Sequence, residues 1–345
     1  MISDRVSPQQ EVDIPNEPVR GTMADINVLA LPGIEQVRAM RDGILALPPN
    51  ARLTGRRLVE TTDTSVVFTM PISPWLLGPK GTMHPGVLTL LGDSALTGAV
   101  ITALPPGVLF VTAELSMTFV ADMPSAGGEL VATGHVVHVD GRHGLATCEI
   151  RGPEDQLLGF GTSRVFLERP MDVSGLGPIS PPPDEPAWLT PDPWARPLDE
   201  PVVAAIGGPD GPAALAETAA GVRARPPIDR LAGISLLDTA KGEATFSMKA
   251  SPWLTNEFGA VSGGMIALLA KSATAAAGQA GARAGLAYRA LDVKVNFLRG
   301  VRPDGTDIVA KGKITHRGRL TVASAEVSHR GRLVALATGT TVLGK

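Results

Sequence analysis

The chain has 345 residues, of which 44% are hydrophobic and 19% charged, and its 31 Lys and Arg against 34 Asp and Glu leave a formal net charge of −3. So even a balance gives no electrostatic reason to expect nucleic acid or an anionic membrane as partner. The length is more than one core usually fills and points to two. A single cysteine, Cys148, excludes an internal disulfide, and no Cys/His cluster has metal-ligand spacing.

In chain order, the first stretch, MISDRVSPQQEVDIPNEP, is polar and has no apolar segment of the kind a secretory signal carries. A short helical pattern follows at Ile34–Leu45, then two strand-like runs, Arg56–Glu60 and Ser65–Ile72. The segment His84–Ala103 is apolar on nearly every face, which is the mark of a buried helix. The wider apolar run Val87–Val111 is broken by Asp93 and by Pro105-Pro106, so no membrane-spanning helix is expected, and the protein reads as cytoplasmic. Glu114–Phe119 alternates strictly, with one face for a core and one polar. Glu129–Val139, Leu145–Arg151 and Leu157–Leu167 continue the sheet through turns such as Asp140-Gly141. From Glu168 to Pro201 proline is too frequent for helix or ladder, and an extended surface linker is expected.

The pattern then begins again. Pro212–Val222 matches Ile34–Leu45, and strand-like runs at Ser235–Asp238 and Glu243–Ala250 precede a second apolar segment, Ser262–Ala280, and an alternating Asp292–Phe297. A constant shift of 178 carries SPWL at 73–76 onto SPWL at 251–254, and Leu53, Gly55, Gly134 and His138 onto Leu231, Gly233, Gly312 and His316. Eleven of the 28 gaplessly aligned positions in 73–100 and 251–278 are identical, where ordinary residue usage gives roughly one in fifteen to twenty by chance. The period is far too long for a solenoid and reads as a duplicated domain. The expected division is an N-terminal extension with a short helix (1–50), a first domain (51–167), a proline-rich linker (168–211) and a second domain with its preceding helix (212–345). The class is α+β, an antiparallel sheet around one long central helix in each copy.

The runs PGVLTLLGDSA, TAELSMTFV, GHVVHVDGR and LLGFGTSRVFL, and their counterparts SGGMIALLAKSA, ALDVKVNFL, GKITHRGRL and LVALATGTTVL, resemble the hotdog-fold thioesterases of the phenylacetate-pathway (PaaI-like) group. The resemblance covers about 50–167 and 228–343. It implies two tandem hotdog domains packed as a pseudo-dimer, an acyl-CoA thioesterase activity, and an active site between the two hotdogs. It also implies no cofactor beyond the coenzyme A that is part of the substrate, and it leaves room for a homo-dimer of the double-hotdog chain.

In that family an Asn lies six residues before a His-Gly-Gly at the start of the central helix, whose first Gly offers its N–H. An acid sits on the helix, and a Ser or Thr near the start of the next strand. The acid and the hydroxyl come from one hotdog, the Asn and the N–H from the other. Here the first copy has Asp93 and Thr112 at the acid and hydroxyl positions, but Gly78 for the Asn, and a Pro85 that has no N–H to offer. The second copy is the mirror case: Asn256 and Gly263 are present, while Lys271 and Ala290 stand at the acid and hydroxyl positions. One cross-domain site therefore has all four parts and the other none. Ser262 replaces the family's His, and serine caps a helix well. Ser262 and Gly264 are expected to line the substrate. Gly263 and Gly264 are equally glycines of tight helix packing, Asn256 a turn residue and Thr112 a plain strand threonine.

Other residues have blander readings. Lys271 is expected to reach solvent or pair with an acid, His84 to be structural, and Trp75 and Trp253 to be core anchors. Arg317 and Arg319, in an HRGRL turn that recurs at 329–333, are candidates for the phosphates of coenzyme A. Two other functions are open: a non-catalytic acyl-CoA binder or scaffold, and a hotdog dehydratase or hydratase. Pro85-Gly-Val-Leu resembles the dehydratase helix motif, but that motif wants an acid six positions after the proline, where Leu91 stands, with Leu269 in the second copy.

Overall fold

The computed structural model describes residues 14–198, 211–282 and 287–344. Most of the polar N-terminal stretch and the last part of the proline-rich stretch lie outside them. The first half runs α1 (Gly33–Arg41), α2 (Pro49–Thr54), β1 (Arg57–Thr61), β2 (Ser65–Pro71), α3 (Val87–Thr102), β3 (Phe110–Phe119), β4 (Glu129–Val139), β5 (His143–Arg151) and β6 (Leu157–Leu167). The second half repeats the order: α4 (Pro212–Ala219), α5 (Pro227–Ala232), β7 (Ile234–Ala240), β8 (Glu243–Lys249), α6 (Gly263–Ala280), β9 (Ala287–Ala290), β10 (Asp292–Phe297), β11 (Asp307–His316), β12 (Leu320–His329) and β13 (Arg332–Gly344).

All the strands form one antiparallel sheet in the order β1-β2-β4-β5-β6-β3-β10-β13-β12-β11-β8-β7, with β9 alongside β13. Each half contributes the same internal order. The halves join at β3 and β10, where Thr118 pairs Asp292 and Glu114 pairs Asn296. β9 and β10 together are the counterpart of β3: the first copy has a bulge between Thr112 and Glu114, and the second has a break at Leu291. Two hotdogs in tandem, sharing a sheet across a pseudo-dimer interface, are thus observed.

The apolar segments form α3 and α6, and each lies against the strands of its own half. The repeated glycines of β4 and β11 show how close. A Cβ on Gly134 would come within 2.1 Å of the Ala95 carbonyl oxygen, and one on Gly312 within 2.2 Å of that of Ala273. No side chain fits between strand and helix there. α3 and α6 also pack against each other: Thr89 donates its hydroxyl to the Gly264 carbonyl at 3.1 Å, and a Cβ on Gly264 would lie 2.9 Å from Leu90 Cα.

The two SPWL segments fold alike. Each serine hydroxyl accepts the N–H of its own tryptophan, Ser73 from Trp75 and Ser251 from Trp253, closing a short 3-10 turn. Both indoles are buried, as expected of core anchors. Each turn also holds an extended strap. Trp253 Nε1–H and Ser251 Oγ–H donate to the carbonyls of Glu17 (3.1 Å) and Pro15 (3.3 Å). Trp75 Nε1–H donates to the carbonyl of Arg196 (3.0 Å) and Ser73 to that of Trp194. So the segment before the first half lies on the second, and the segment before the second half lies on the first. Where they meet, Arg196 makes a two-pronged ion pair with Glu17, both bonds 2.7 Å. The stretch expected to be an extended surface linker has two parts. Residues 168–191 are largely exposed and have no regular structure, but 192–196 dock through backbone carbonyls, which proline does not remove.

Candidate active site

A cavity of about 920 Å³ lies between the halves, within the size range of small-molecule sites. Its apolar part is lined by Val37, Met40, Leu45, Leu58, Phe68 and Ile101 of the first half. Asp93, Thr112, Asn256, Ser262 and Gly263 all lie in its wall. The fold thus brings together, from both copies, the four residues Asp93, Thr112, Asn256 and Gly263.

Asp93 is 8% exposed, one turn and a half into α3. Its Oδ2 reaches across the interface to the start of α6, where it accepts the Gly264 N–H at 2.8 Å and the Ser262 hydroxyl at 3.2 Å. A helix start offers unpaired N–H groups and the positive end of the dipole, so a carboxylate is well placed there. Oδ1 is buried without a hydrogen-bond partner. Burial lifts the carboxyl pKa from 3.8 to about 6, against the lowering effects of the Gly264 N–H, the charge of Arg56 and the Ser262 hydroxyl; Glu257 adds to the rise. A group titrating there is available as a base near neutral pH.

Several expected roles change. Ser262 occupies the N-cap position of α6 but makes no capping bond; its hydroxyl is turned to Asp93 instead. Gly264 does not line the cavity: its N–H is committed to Asp93. Gly263 opens the helix, so its own N–H has no intrahelical acceptor, and a Cβ there would sit 3.4 Å from Asp93 Oδ2. The Asn256 side-chain oxygen accepts the N–H groups of Phe258 and Ala260, both at 3.1 Å. That makes it a turn residue whose amide nitrogen is left for other work. Arg317 and Arg319 sit in the exposed β11–β12 turn and are not in the cavity wall. Leu91 and Leu269, where a dehydratase would need its acid, are fully buried in apolar surroundings.

Residue patterns did not single out Arg56, Glu257, Asn50 or Ser94. Arg56 and Glu257 line the cavity, and Arg56 is held by the Asn50 side-chain oxygen (2.9 Å) and by Ser94 Oγ. In the sequence Arg56 reads only as the start of a strand, which the structure begins at Arg57. A signal was present: the 178 shift places Ile234 at the equivalent position of the second half.

At the pseudo-equivalent location the central groups are buried. Lys271 is 4% exposed and lies 3.2 Å from His84 Nε2, so it does not reach solvent. His84 Nδ1 accepts the Gly86 N–H at 3.2 Å. The ring proton then sits on Nε2, and Nε2–H can donate to Lys271 only if that amine is uncharged. Burial is the main cause of a Lys271 pKa lowered to about 7, with Asp229 opposing and Lys80 reinforcing. Burial and the same lysine hold His84 well below its ordinary value. Burial also raises Asp229 to about 7, opposed by Arg225 and Lys271. Among the described residues no group of three or more His, Cys, Asp or Glu is placed to hold a metal ion, and no helix is long and apolar enough to cross a membrane. Cys148 is buried and its thiol is pushed up to about 12, chiefly by burial.

The comparisons agree with this architecture. The chain is similar over 86% of its length to the tesB protein of Mycobacterium avium subs paratuberculosis (14% identity, 98% of that chain, TM-score 0.52). It is similar over 84% to a protein described as a thioesterase from Novosphingobium aromaticivorans (15% identity, 98% of that chain, TM-score 0.51). The E. coli PaaI protein of the phenylacetic acid degradation operon matches 41% of this chain with 97% of its own (20% identity, TM-score 0.36). No curated protein matches the sequence at a significant level. The family model described as Thioesterase superfamily matches twice, at residues 80–158 and 258–335, one match on each copy of the fold. The chain is thus a tandem hotdog fold, each copy of which matches the thioesterase superfamily model.

Proposed function

We propose that the protein is an acyl-CoA thioesterase with one working site per chain, made by both halves. The observation that carries the reading is Asp93: a buried carboxylate in the wall of the interdomain cavity, pinned through Oδ2 to the opposing helix start, with Oδ1 unpartnered.

In this reading the acyl group enters the apolar part of the cavity and the thioester carbonyl lies at the start of α6. The Gly263 N–H and the Asn256 amide are the donors that meet the developing oxyanion. Asp93 accepts a proton from water as the water oxygen bonds to the carbonyl carbon. The tetrahedral intermediate then collapses, the C–S bond breaks, and the thiolate of coenzyme A takes a proton, giving a carboxylic acid and a free thiol. Thr112, on the strand facing Asp93, orients the water. The second location supports none of these steps. Pro85 has no N–H to offer there, and Lys271 and Ala290 replace the acid and the hydroxyl.

The test is free-thiol release from a panel of acyl-CoAs, with calorimetric titration of a non-hydrolysable acyl-CoA analogue. Turnover and one bound analogue per chain are expected. Because the ionised carboxylate is the working form, kcat/KM should rise with pH through about 6 and then level. Binding without turnover would mean a non-catalytic binder, and two equivalent ligands would refute the single site.

A further inference from the structure

Of the charged side chains in the cavity wall that the proposed reaction does not use, Arg56 lies beside the helix that carries Asp93. Arg56 follows α2 and points its guanidinium into the cavity wall beside α3. It is held by two neutral oxygens, Asn50 Oδ1 at 2.9 Å and Ser94 Oγ. Both holders are buried, Asn50 at 3% exposure and Ser94 at 8%. Ser94 is the residue after Asp93 on the same helix. Among the described residues Arg56 has no carboxylate within ion-pair distance, although two carboxylates, those of Glu257 and Asp93, act on it through space. The guanidinium is half-buried, 5.9 Å from the centroid of the Phe68 ring, and withdrawing a cation from water without a direct counter-ion is costly, so its position calls for a reason.

The second half supplies it. At the positions of Asp93 and Arg56 it has Lys271 and Ile234, and the carboxylate that acts on Lys271 comes from Asp229, whose counterpart in the first half is Ala51. Each half thus gives its central-helix ionisable group an opposite charge from the short helix before its first strand or from the residues just after it. Where the central group is an acid the partner is Arg56; where it is an amine the cation is gone and an acid has taken over.

We infer that Arg56 is a positioning residue. Its charge offsets Glu257 and keeps Asp93 in the ionised form the reaction needs, while its bond to Ser94 holds it at that place beside α3. The inference rests on the thioesterase reading. The groups acting on Asp93 are Arg56 beside α2, Glu257 on the loop before α6, and the Ser262 hydroxyl and Gly264 N–H at the start of α6. Arg56 is the only cation among them, and Glu257 the only other carboxylate.

The experiment follows Asp93 in two ways: the acid limb of kcat/KM against pH, and the carboxyl 13C titration of the full chain labelled at aspartate, with the Asp93 signal assigned by its loss in Asp93→Asn. Arg56→Gln retains hydrogen bonding to Ser94 and Asn50 but loses the charge; both midpoints should rise by about one unit, and the lost rate should return as pH is raised. Arg56→Lys should leave both near the wild-type position. Glu257→Gln, which does not depend on Arg56→Gln folding, should move both downward by a few tenths of a unit or more. A pH-independent loss of rate in Arg56→Gln with an unmoved midpoint would overturn the inference and leave Arg56 a packing residue, as would an unmoved midpoint in Glu257→Gln. The 13C titration reads the charge balance even if wild-type protein releases no thiol, so failure of the thioesterase reading and failure of this one remain separate results.

Discussion

The starts of α3 and α6 are related by duplication, yet they differ in what they do with a charge. At one, a carboxylate from the opposite helix sits on the backbone N–H of Gly264. At the other, an amine from the opposite helix sits on His84, and the Gly86 N–H is spent on that imidazole. The fold positions the two groups alike; the chemistry at each place follows from which residues point inward. A duplicated location can therefore exchange the chemistry of its buried group without losing its architecture, provided that group finds a partner of suitable character.

The comparison breaks most sharply at the two central-helix groups. Asp93→Asn keeps the shape and removes the base, and should lower kcat by about 10²–10⁴. Lys271→Met, which replaces a buried amine by an apolar chain of similar length, should leave kcat within about twofold, since no step of the proposed reaction uses that location. Equal losses from both would mean that the two locations act together. Next in size is Asn256→Ala, expected to cost about 10²–10³ in kcat. Combined with Asp93→Asn it should cost much less than the product of the two, because both act on one site; full multiplicativity measured by steady-state kinetics would place them in different sites.

A packing test comes third. Gly264→Ala sets a methyl group 2.9 Å from Leu90 Cα and the Thr89 carbonyl, both backbone and unable to yield cheaply, and should destabilise by about 1–3 kcal/mol in chemical denaturation. Gly86→Ala meets the flexible tip of Leu268 and should cost less. The last test concerns pH. The folded Lys271 pKa is lowered to about 7 from 10.5. The unfolded chain thus binds more protons across that window, and stability should rise with pH between about 7 and 10.5. Melting temperatures of wild type and Lys271→Met across that range check it: the rise should be smaller in the variant.

Much of this was legible in the residues because the chain states it twice. The 178 shift exposes the duplication, and Gly134 and Gly312 recur because a helix carbonyl lies where a Cβ would be. The complementary sets Asp93 with Thr112 and Asn256 with Gly263 were implied by the family resemblance, and they line one cavity. What could not be read depends on contacts between distant segments. Arg56 looks like any residue at a strand start until α2 and α3 close over it. Lys271 reads as a surface lysine because nothing local shows that His84, 187 positions earlier, will be its neighbour. The straps leave almost no trace, since Pro15, Glu17, Trp194 and Arg196 bind through main-chain carbonyls, which every residue has.

Those straps set an order of assembly. A chain emerging from its N-terminus makes residues 14–17 early, but their seat on Trp253 exists only once the last third is being made. Trp75 waits for residues 194–196, which follow its own half. The first half is not complete when its own last strand is, and the second half, produced alone, would show a bare indole edge and an unanswered serine where the first strap should lie. A protease nick within the exposed 168–191 segment would therefore leave one particle rather than two, held by the crossed straps, the Glu17–Arg196 clasp and the β3–β10 ladder. The covalent join is then less a tether than a guarantee that each half meets the one partner whose cavity wall complements its own.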